Sequence, residues 1–365
     1  MSKKSTRLFL ILLALLLLVL IVWRLAFPKS LDQIPGAAPS TTSPLASSVA
    51  SPSTTSTPQE QPIVPIPLAG PASESRSEIS GMAWYHDTLI LLPQYPSRFG
   101  SGDGAVFGLA KDDILAYLDG SSSQPLSPVE IPFIAPKLKD IDGFEGFEAI
   151  AFSGDQVYLT IETKPDQMLG YLVVGIMAPD LSEMRLDLTT LAEISPGAQI
   201  DNMTDEALLV TPGGVLSFFE ANGLKNNPSP LAHLFSLNGH PLGTLPMINL
   251  EYRLTDVTSL DSTDRFWGIN YFFPGDTKLT PDTDPLAIKY GEGATHTVST
   301  AVERLVQFQY SSDGIILTDT PPIQLQLLAD NGARNWEALA YLDQQGFLLA
   351  TDKFPETILA FVGYP

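Results

Sequence analysis

Residues 148–162 read EAIAFSGDQVYLTIE. An acid opens the phrase, a short apolar run follows, SGD turns the chain, a second apolar run returns, and another acid closes it. AIAF and QVYLTI are rich in β-formers and are separated by a short Gly/Asp linker, so the phrase predicts an antiparallel hairpin. The same phrase recurs four more times: EISGMAWYHDTLILLPQ from Glu78, EALLVTPGGVLSFFE from Glu206, DVTSLDSTDRFWGIN from Asp256 and EALAYLDQQGFLLATD from Glu337. The closing residues are Gln94, Glu162, Glu220, Asn270 and Asp352, at separations of 16, 14, 14, 14 and 15 residues. A repeat at this spacing indicates an array of equivalent supersecondary units.

Further β-rich runs follow each hairpin. GYLVVGIM and MRLDLTTL continue the second unit, LAHLFSL and PMINL the third, and VERLVQFQY and PPIQLQLL the fourth. The first continues with AVFGLA, a helix-like KDDILAYLDG and VEIPF. The expectation is an all-β β-propeller of five four-stranded blades. Only TILAFV remains after the fifth hairpin, so that unit is one strand short. The run IVPIPLAG (Ile63–Gly70) is expected to supply the missing strand, closing the ring and removing an exposed edge. Six blades stay open as an alternative, because 81 residues separate Asp256 from Glu337. The insert 272–300 reads as a loop.

Four segments are expected along the chain. Residues 1–7 form a basic tail carrying Lys3, Lys4 and Arg7, and residues 8–27 a single transmembrane helix. The run Leu8–Trp23 has 16 consecutive apolar residues, and about 20 residues of helix span a hydrocarbon core. The basic flank places the N-terminus in the cytoplasm and the rest outside, periplasmic or at the cell surface. An uncleaved signal anchor is favoured over a cleaved signal peptide, since no small-x-small site follows closely. Residues 28–62 form a Ser/Thr/Pro linker too poor in apolar surface to order itself, and residues 63–365 form the propeller.

The chain carries 20 basic and 41 acidic residues and no Cys. Disulfides are therefore excluded. Beyond residue 35 the net charge is −25. That charge argues against nucleic acid and anionic lipid and leaves the N-terminal helix as the only membrane contact. GxSxG, HExxH and Walker motifs are absent, and the four histidines lack metal-ligand spacing.

In a propeller the start of the innermost strand and the end of its partner lie on one axial face. Glu78, Glu148, Glu206, Asp256 and Glu337 are thus expected to ring the channel mouth, with the five closing residues beside them. Carboxylates so crowded repel unless protonated or bound to a cation, and hard oxygen donors suit Ca²⁺. The five acids are the candidate metal ligands, and Glu162 and Asp352 the candidate general bases. Lys164, Lys353 and Arg334 are the candidate substrate-binding cations, their target being a small-molecule or cell-envelope ligand. Trp84, Trp267 and Trp336 read as blade core.

GFEGFEAIAFSGDQVYLTIE and NWEALAYLDQQGFLLATDKFPETILAFV resemble the "esterase-like activity of phytase" propeller family. SEISGMAW is similar to extracytoplasmic propellers of the quorum-sensing-regulated type and, more distantly, to lactonase propellers. The resemblance covers residues 66–365. It implies a secreted or periplasmic propeller, often with calcium, and an esterase or phosphoesterase activity. Residues matching the family phrase are Glu148, Glu337, Asp352 and Glu78. Ala149 and Ala338 stand where that family often has Gly. A metal-dependent hydrolase is the first expectation, and a non-catalytic binding or scaffold propeller the alternative.

Overall fold

A hairpin with a defect at its start is the unit from which this chain is built. In a computed structural model, residues 57–365 are described, apart from 330–331 and 354–355. The expected basic tail, membrane helix and nearly all of the linker lie outside them. Among the described residues no helix is long and apolar enough to cross a membrane.

The chain is all-β. The N-terminal segment supplies β1 (Glu60–Gln61) and β2 (Val64–Ile66). The first repeat gives β3 (Ile79–Tyr85), β4 (Thr88–Pro93), β5 (Ala105–Ala110), helix α1 (Lys111–Leu118) and β6 (Val129–Ile134). The second gives β7 (Phe144–Ser153), β8 (Gln156–Thr163), β9 (Leu169–Met177) and β10 (Met184–Ile194), and the third β11 (Asp205–Thr211), β12 (Gly214–Phe219), β13 (Leu231–Phe235) and β14 (Pro241–Pro246). The fourth gives β15 (Arg253–Val257), β16 (Arg265–Phe272), helix α2 (Pro285–Tyr290), β17 (Val302–Ser311), β18 (Gly314–Leu317) and β19 (Ile323–Leu325). The fifth gives β20 (Trp336–Leu342), β21 (Gly346–Thr351) and β22 (Leu359–Gly363).

Within each repeat the strands pair antiparallel in chain order as a meander, except at the outer edge of the fourth, where β19 pairs with β17. Between β7 and β8 the loop is two residues, and Gly154 takes the left-handed first position at φ 59°. The first two repeats also join at their outer edges, where β10 runs parallel to β6. The first strands pack on one another in cyclic order: β3 on β7, β7 on β11, β11 on β15, β15 on β20, and β20 back on β3. The core lies between neighbouring sheets as separate apolar layers. One layer packs Met82, Leu91 and Phe107 against Ala338, Leu348 and Ala350, which seals the first repeat to the fifth. Trp336 and Trp267 are buried in the layer between the fourth and fifth. Trp84 is half-buried, and its indole N–H donates to the Tyr341 carbonyl at 2.8 Å.

The N-terminal segment links three repeats. β1 pairs parallel with β19, β2 pairs antiparallel with β22, and Leu68 bridges to Leu126. β2 is the fourth strand that the fifth repeat lacked. Glu60 anchors the segment. Its Oε1 accepts from the backbone N–H of Thr295 and His296, from Thr295 Oγ1 and from His296 Nδ1, at 2.8–3.2 Å. His296 Nε2 accepts from the Glu303 N–H, so the imidazole proton sits on Nδ1.

Two outer strands differ from expectation. The third repeat ends on Pro241–Pro246 and not on PMINL, and the fourth carries two short edge strands, β18 and β19, both paired to β17. The 272–300 insert holds only a short helix and 3₁₀ turns among its described elements. Asp284 caps that helix by accepting from the N–H groups of Leu286 and Ala287, and it receives the fork of buried Arg304 at 2.8 and 3.1 Å.

Candidate functional site

All five first strands break register near their start. The shifts fall between Ile79 and Gly81, Phe147 and Ala149, Asp205 and Ala207, Leu254 and Val257, and Trp336 and Ala338. A bulge residue has no partner across the ladder and is free to re-aim its side chain. The residues so released are Glu148, Glu206 and Glu337 in the second, third and fifth repeats. Ser80 holds that position in the first repeat, and in the fourth the break spans both Thr255 and Asp256. The sequence alignment was therefore slipped by two residues at Glu78.

Ser80 and Thr255 serve the glutamates from the neighbouring repeat. The Ser80 hydroxyl donates to the Phe147 carbonyl at 2.6 Å, one residue before Glu148. The Thr255 hydroxyl donates to the Trp336 carbonyl at 2.6 Å, one residue before Glu337. Asp256 lies off the cavity. Its two oxygens accept the N–H groups of Leu339 (2.7 Å) and Val257 (2.8 Å), so it ties the fourth repeat to the fifth.

A cavity of about 920 Å³ opens over these strand ends. Among the described residues, eight carboxyl groups line it: Glu78, Glu145, Glu148, Glu162, Glu206, Asp276, Glu337 and Asp352. Among them too are the cations Arg98, Arg253 and Lys353, and Tyr95, Phe144, Tyr271 and Phe273 supply aromatic surface. Gln94 lines the wall and donates to Glu148 Oε1 at 3.0 Å. Its reach depends on Gly146, at φ 145°, where an added Cβ would meet Gln94 Cγ at 2.4 Å. Glu78 pairs with Arg98 at 2.9 Å and faces Lys353 at 3.6 Å. Asn335 donates to both Glu337 and Asp352.

The other expected residues lie elsewhere. Glu220 is buried behind the wall, and Asn270 is spent on the Glu251 and Arg253 carbonyls and on Arg304. Lys164 pairs with Asp201 at the surface. Arg334 is buried against Glu303 at 2.8 Å and stacks over Trp336, so it is part of the core and not of the cavity.

Arg253 was not singled out by the repeat. It begins β15, with Nη1 2.7 Å from Glu220 and Nε 3.0 Å from Asp276. Burial opposes its charge, but Glu220, Glu206 and Asp276 outweigh that and keep the guanidinium charged. A basic residue three positions before an acid carries no sequence signal of its own. The 16-residue separation at Glu78 was a signal, since Ser80 to Gln94 restores the interval of 14 residues.

Burial dominates the titration of the cluster. It pushes Glu148 well above the usual carboxyl range, and the charges of Glu162 and Glu337 add to this. Glu206 is raised by burial, Glu220 and Glu337, and Glu337 by burial and Asp352. Glu162 is raised to about 7 by burial and Glu220, while a hydrogen bond from Thr204 at 3.1 Å partly offsets them. Asp352 is raised by burial, against the pull of Lys353. Raised pKa values ease the repulsion that carboxylates crowded together would otherwise create.

The donor set is all oxygen, which is the chemistry Ca²⁺ prefers. Yet among the described residues no three acidic or imidazole groups are gathered as metal ligands. Arg253 also brings a fixed positive charge to the fourth repeat, where Asp256 was expected. The residues do not form a calcium cage, and no step below is routed through a metal.

No family model matches the chain, and no curated protein matches it. Solved structures do. A glucose dehydrogenase is similar at 11% identity and a TM-score of 0.43, over 83% of this chain and 99% of that one. A soluble aldose sugar dehydrogenase from Escherichia coli is similar at 10% identity and a TM-score of 0.41, over 82% and 99%. An α-L-arabinofuranosidase from Clostridium thermocellum is similar at 12% identity and a TM-score of 0.44, over 75% and 81%. At these values the likeness assigns no activity.

Proposed function

We propose that the folded part is a five-bladed β-propeller, held outside the membrane by residues 8–27, whose acidic cavity hydrolyses esters. One observation carries the reading. Glu148 and Glu162, on adjacent strands and facing the same cavity, are poised differently. Burial pushes Glu148 well above the usual carboxyl range, and Glu162 is raised to about 7. Neighbouring carboxyls raised into this range can serve one as acid and the other as base.

Glu162 takes a proton from water as the water oxygen attacks the ester carbonyl carbon. The bond from that carbon to the alcohol oxygen breaks, and the proton on Glu148 passes to the leaving alkoxide. Acid and alcohol depart, and the proton on Glu162 returns to Glu148. Arg253 limits the charge of the site.

The test is hydrolysis of p-nitrophenyl acetate by the full chain in detergent. Glu162→Gln lowers kcat by roughly 10²- to 10⁴-fold, the range of a general base, and removes the pH limb near 7. An unchanged rate and profile would reject the acid–base pair and leave the non-catalytic binding module. Calcium dependence is a separate arm: chelation leaves the rate unchanged under this mechanism.

A further inference from the structure

We propose that the esters this cavity takes carry an aromatic or similarly flat apolar group, held between Phe273 on one side of the mouth and Tyr95 with Phe144 on the other. The proposal rests on the hydrolase reading and names its substrate class.

The placement of these side chains follows from the order of the repeats. Tyr95 follows β4 in the first repeat, Phe144 opens β7 in the second, and Phe273 follows β16 in the fourth. The first strands pack in a closed cycle of five, so the seam between the first and second repeats faces the fourth across the mouth. All three side chains line the cavity. Each is held in place. Tyr95 and Phe144 meet edge to face with centroids 6.2 Å apart, and Phe144 meets buried Phe147 the same way at 5.5 Å. The Tyr95 hydroxyl donates to the Glu145 carbonyl, and Arg98 lies over its ring at 4.2 Å. Phe273 heads a turn closed by the Asp276 N–H on its carbonyl at 2.9 Å, and Arg253 pins Asp276 at 3.0 Å. The Phe273 ring packs on Gly275, where an added Cβ would meet Cε1 at 2.2 Å.

Phe273 nevertheless stays 49% exposed. A large apolar side chain fixed at a cavity mouth and left half in water gains by being covered. Aromatic groups stack or meet edge to face with such rings and add to the area they bury. The polar lining offers a ligand less, because its groups are already engaged with one another. Gln94 is spent on Glu148, Asn335 on Glu337, and Arg98 on Glu78. A ligand rich in hydroxyl groups, such as a sugar, would have to compete with these bonds, whereas a flat apolar group uses the aromatic side chains as they stand.

The experiment is calorimetric titration of the full chain with acetanilide, acetamide and methyl glucoside. All three are uncharged, and acetanilide is the amide counterpart of phenyl acetate. Acetanilide is expected to bind at least about tenfold tighter than acetamide or the glucoside, the effect of burying one aromatic ring. Phe273→Ala, checked for a native melting transition, is expected to weaken acetanilide by about tenfold, and Phe273→Tyr to keep its affinity. No measurable binding of acetanilide, or equal affinity for either other probe, overturns the proposal, and the wild-type series alone decides this if the variant fails to fold. Unchanged affinity in folded Phe273→Ala also overturns it. None of the probes is an ester. Binding of acetanilide without cleavage of p-nitrophenyl acetate therefore rejects the hydrolase and keeps the aromatic seat, while cleavage without preference for acetanilide does the reverse.

Discussion

Arg253→Met is the most direct test of how this acidic cavity stays folded. The guanidinium sits 2.7 Å from Glu220, whose side chain is fully buried, and 3.0 Å from Asp276. At an effective dielectric of about 20, unit charges 2.7 Å apart attract by roughly 6 kcal/mol. Desolvation of both ions consumes part of that. Removing one partner of a buried pair costs about 3–5 kcal/mol, because the other charge is stranded. Glu220 has an escape: it can take up a proton, and burial already holds it above the usual carboxyl range. In the variant its folded pKa rises further above its unfolded value. The folded state then binds the extra proton, so stability is retained below the unfolded pKa and lost as pH rises through the folded pKa. Thermal melts of the full chain should show a small loss at pH 5 and a loss of roughly 6–10 °C at pH 8. Arg253→Met with Glu220→Gln should recover most of the loss, because no charge remains to strand. A deficit independent of pH, or no recovery in the double variant, would refute the assignment of Arg253 as the counter-charge of the cluster.

Three further outcomes follow from the same geometry. Glu148, Glu206, Glu337 and Asp256 all have folded pKa values raised by burial, so stability should be greatest in mild acid and decline as pH rises above the unfolded carboxyl range, as read by the melting temperature from pH 5 to 9. Ser80→Ala removes the 2.6 Å bond to the Phe147 carbonyl and should cost about 1–2 kcal/mol in denaturant melts, with Thr255→Val giving a matching loss at Trp336; a neutral result at both would reject the hydroxyls as ties between repeats. Glu60→Ala strips four hydrogen bonds from Thr295 and His296, and hydrogen exchange should quicken in β1, β2 and residues 294–298 while β8 and β9 stay protected.

The hairpin phrase made the repeat, the all-β class and the acid-rich face legible without coordinates, because strand period and turn residues are local properties. The short fifth repeat also predicted that Ile63–Gly70 would supply a strand, since an unpaired edge needs a partner. The staple at Glu60 was not legible. It depends on residues more than 230 positions away. Glu148, Glu206 and Glu337 were found because composition and bulge position coincide there. Glu78 was aligned to the same role by residue type, against the 14- or 15-residue interval of the other copies. Only strand pairing decides which residue is left over in a bulge, and in the first repeat that gave the position to Ser80. The conversion of Asp256 from a cavity residue to a tie between repeats rests on the Leu339 N–H, 83 residues away. Lys164 and Arg334 were likewise assigned to the site by proximity to a ring residue, and tertiary packing placed partners closer to each. The sequence by itself determined the repeating unit and its surplus of acid. The tertiary structure decided which acids face the cavity, which hold protons and where Arg253 stands among them, because burial, register and pairing are set by neighbours far apart along the chain.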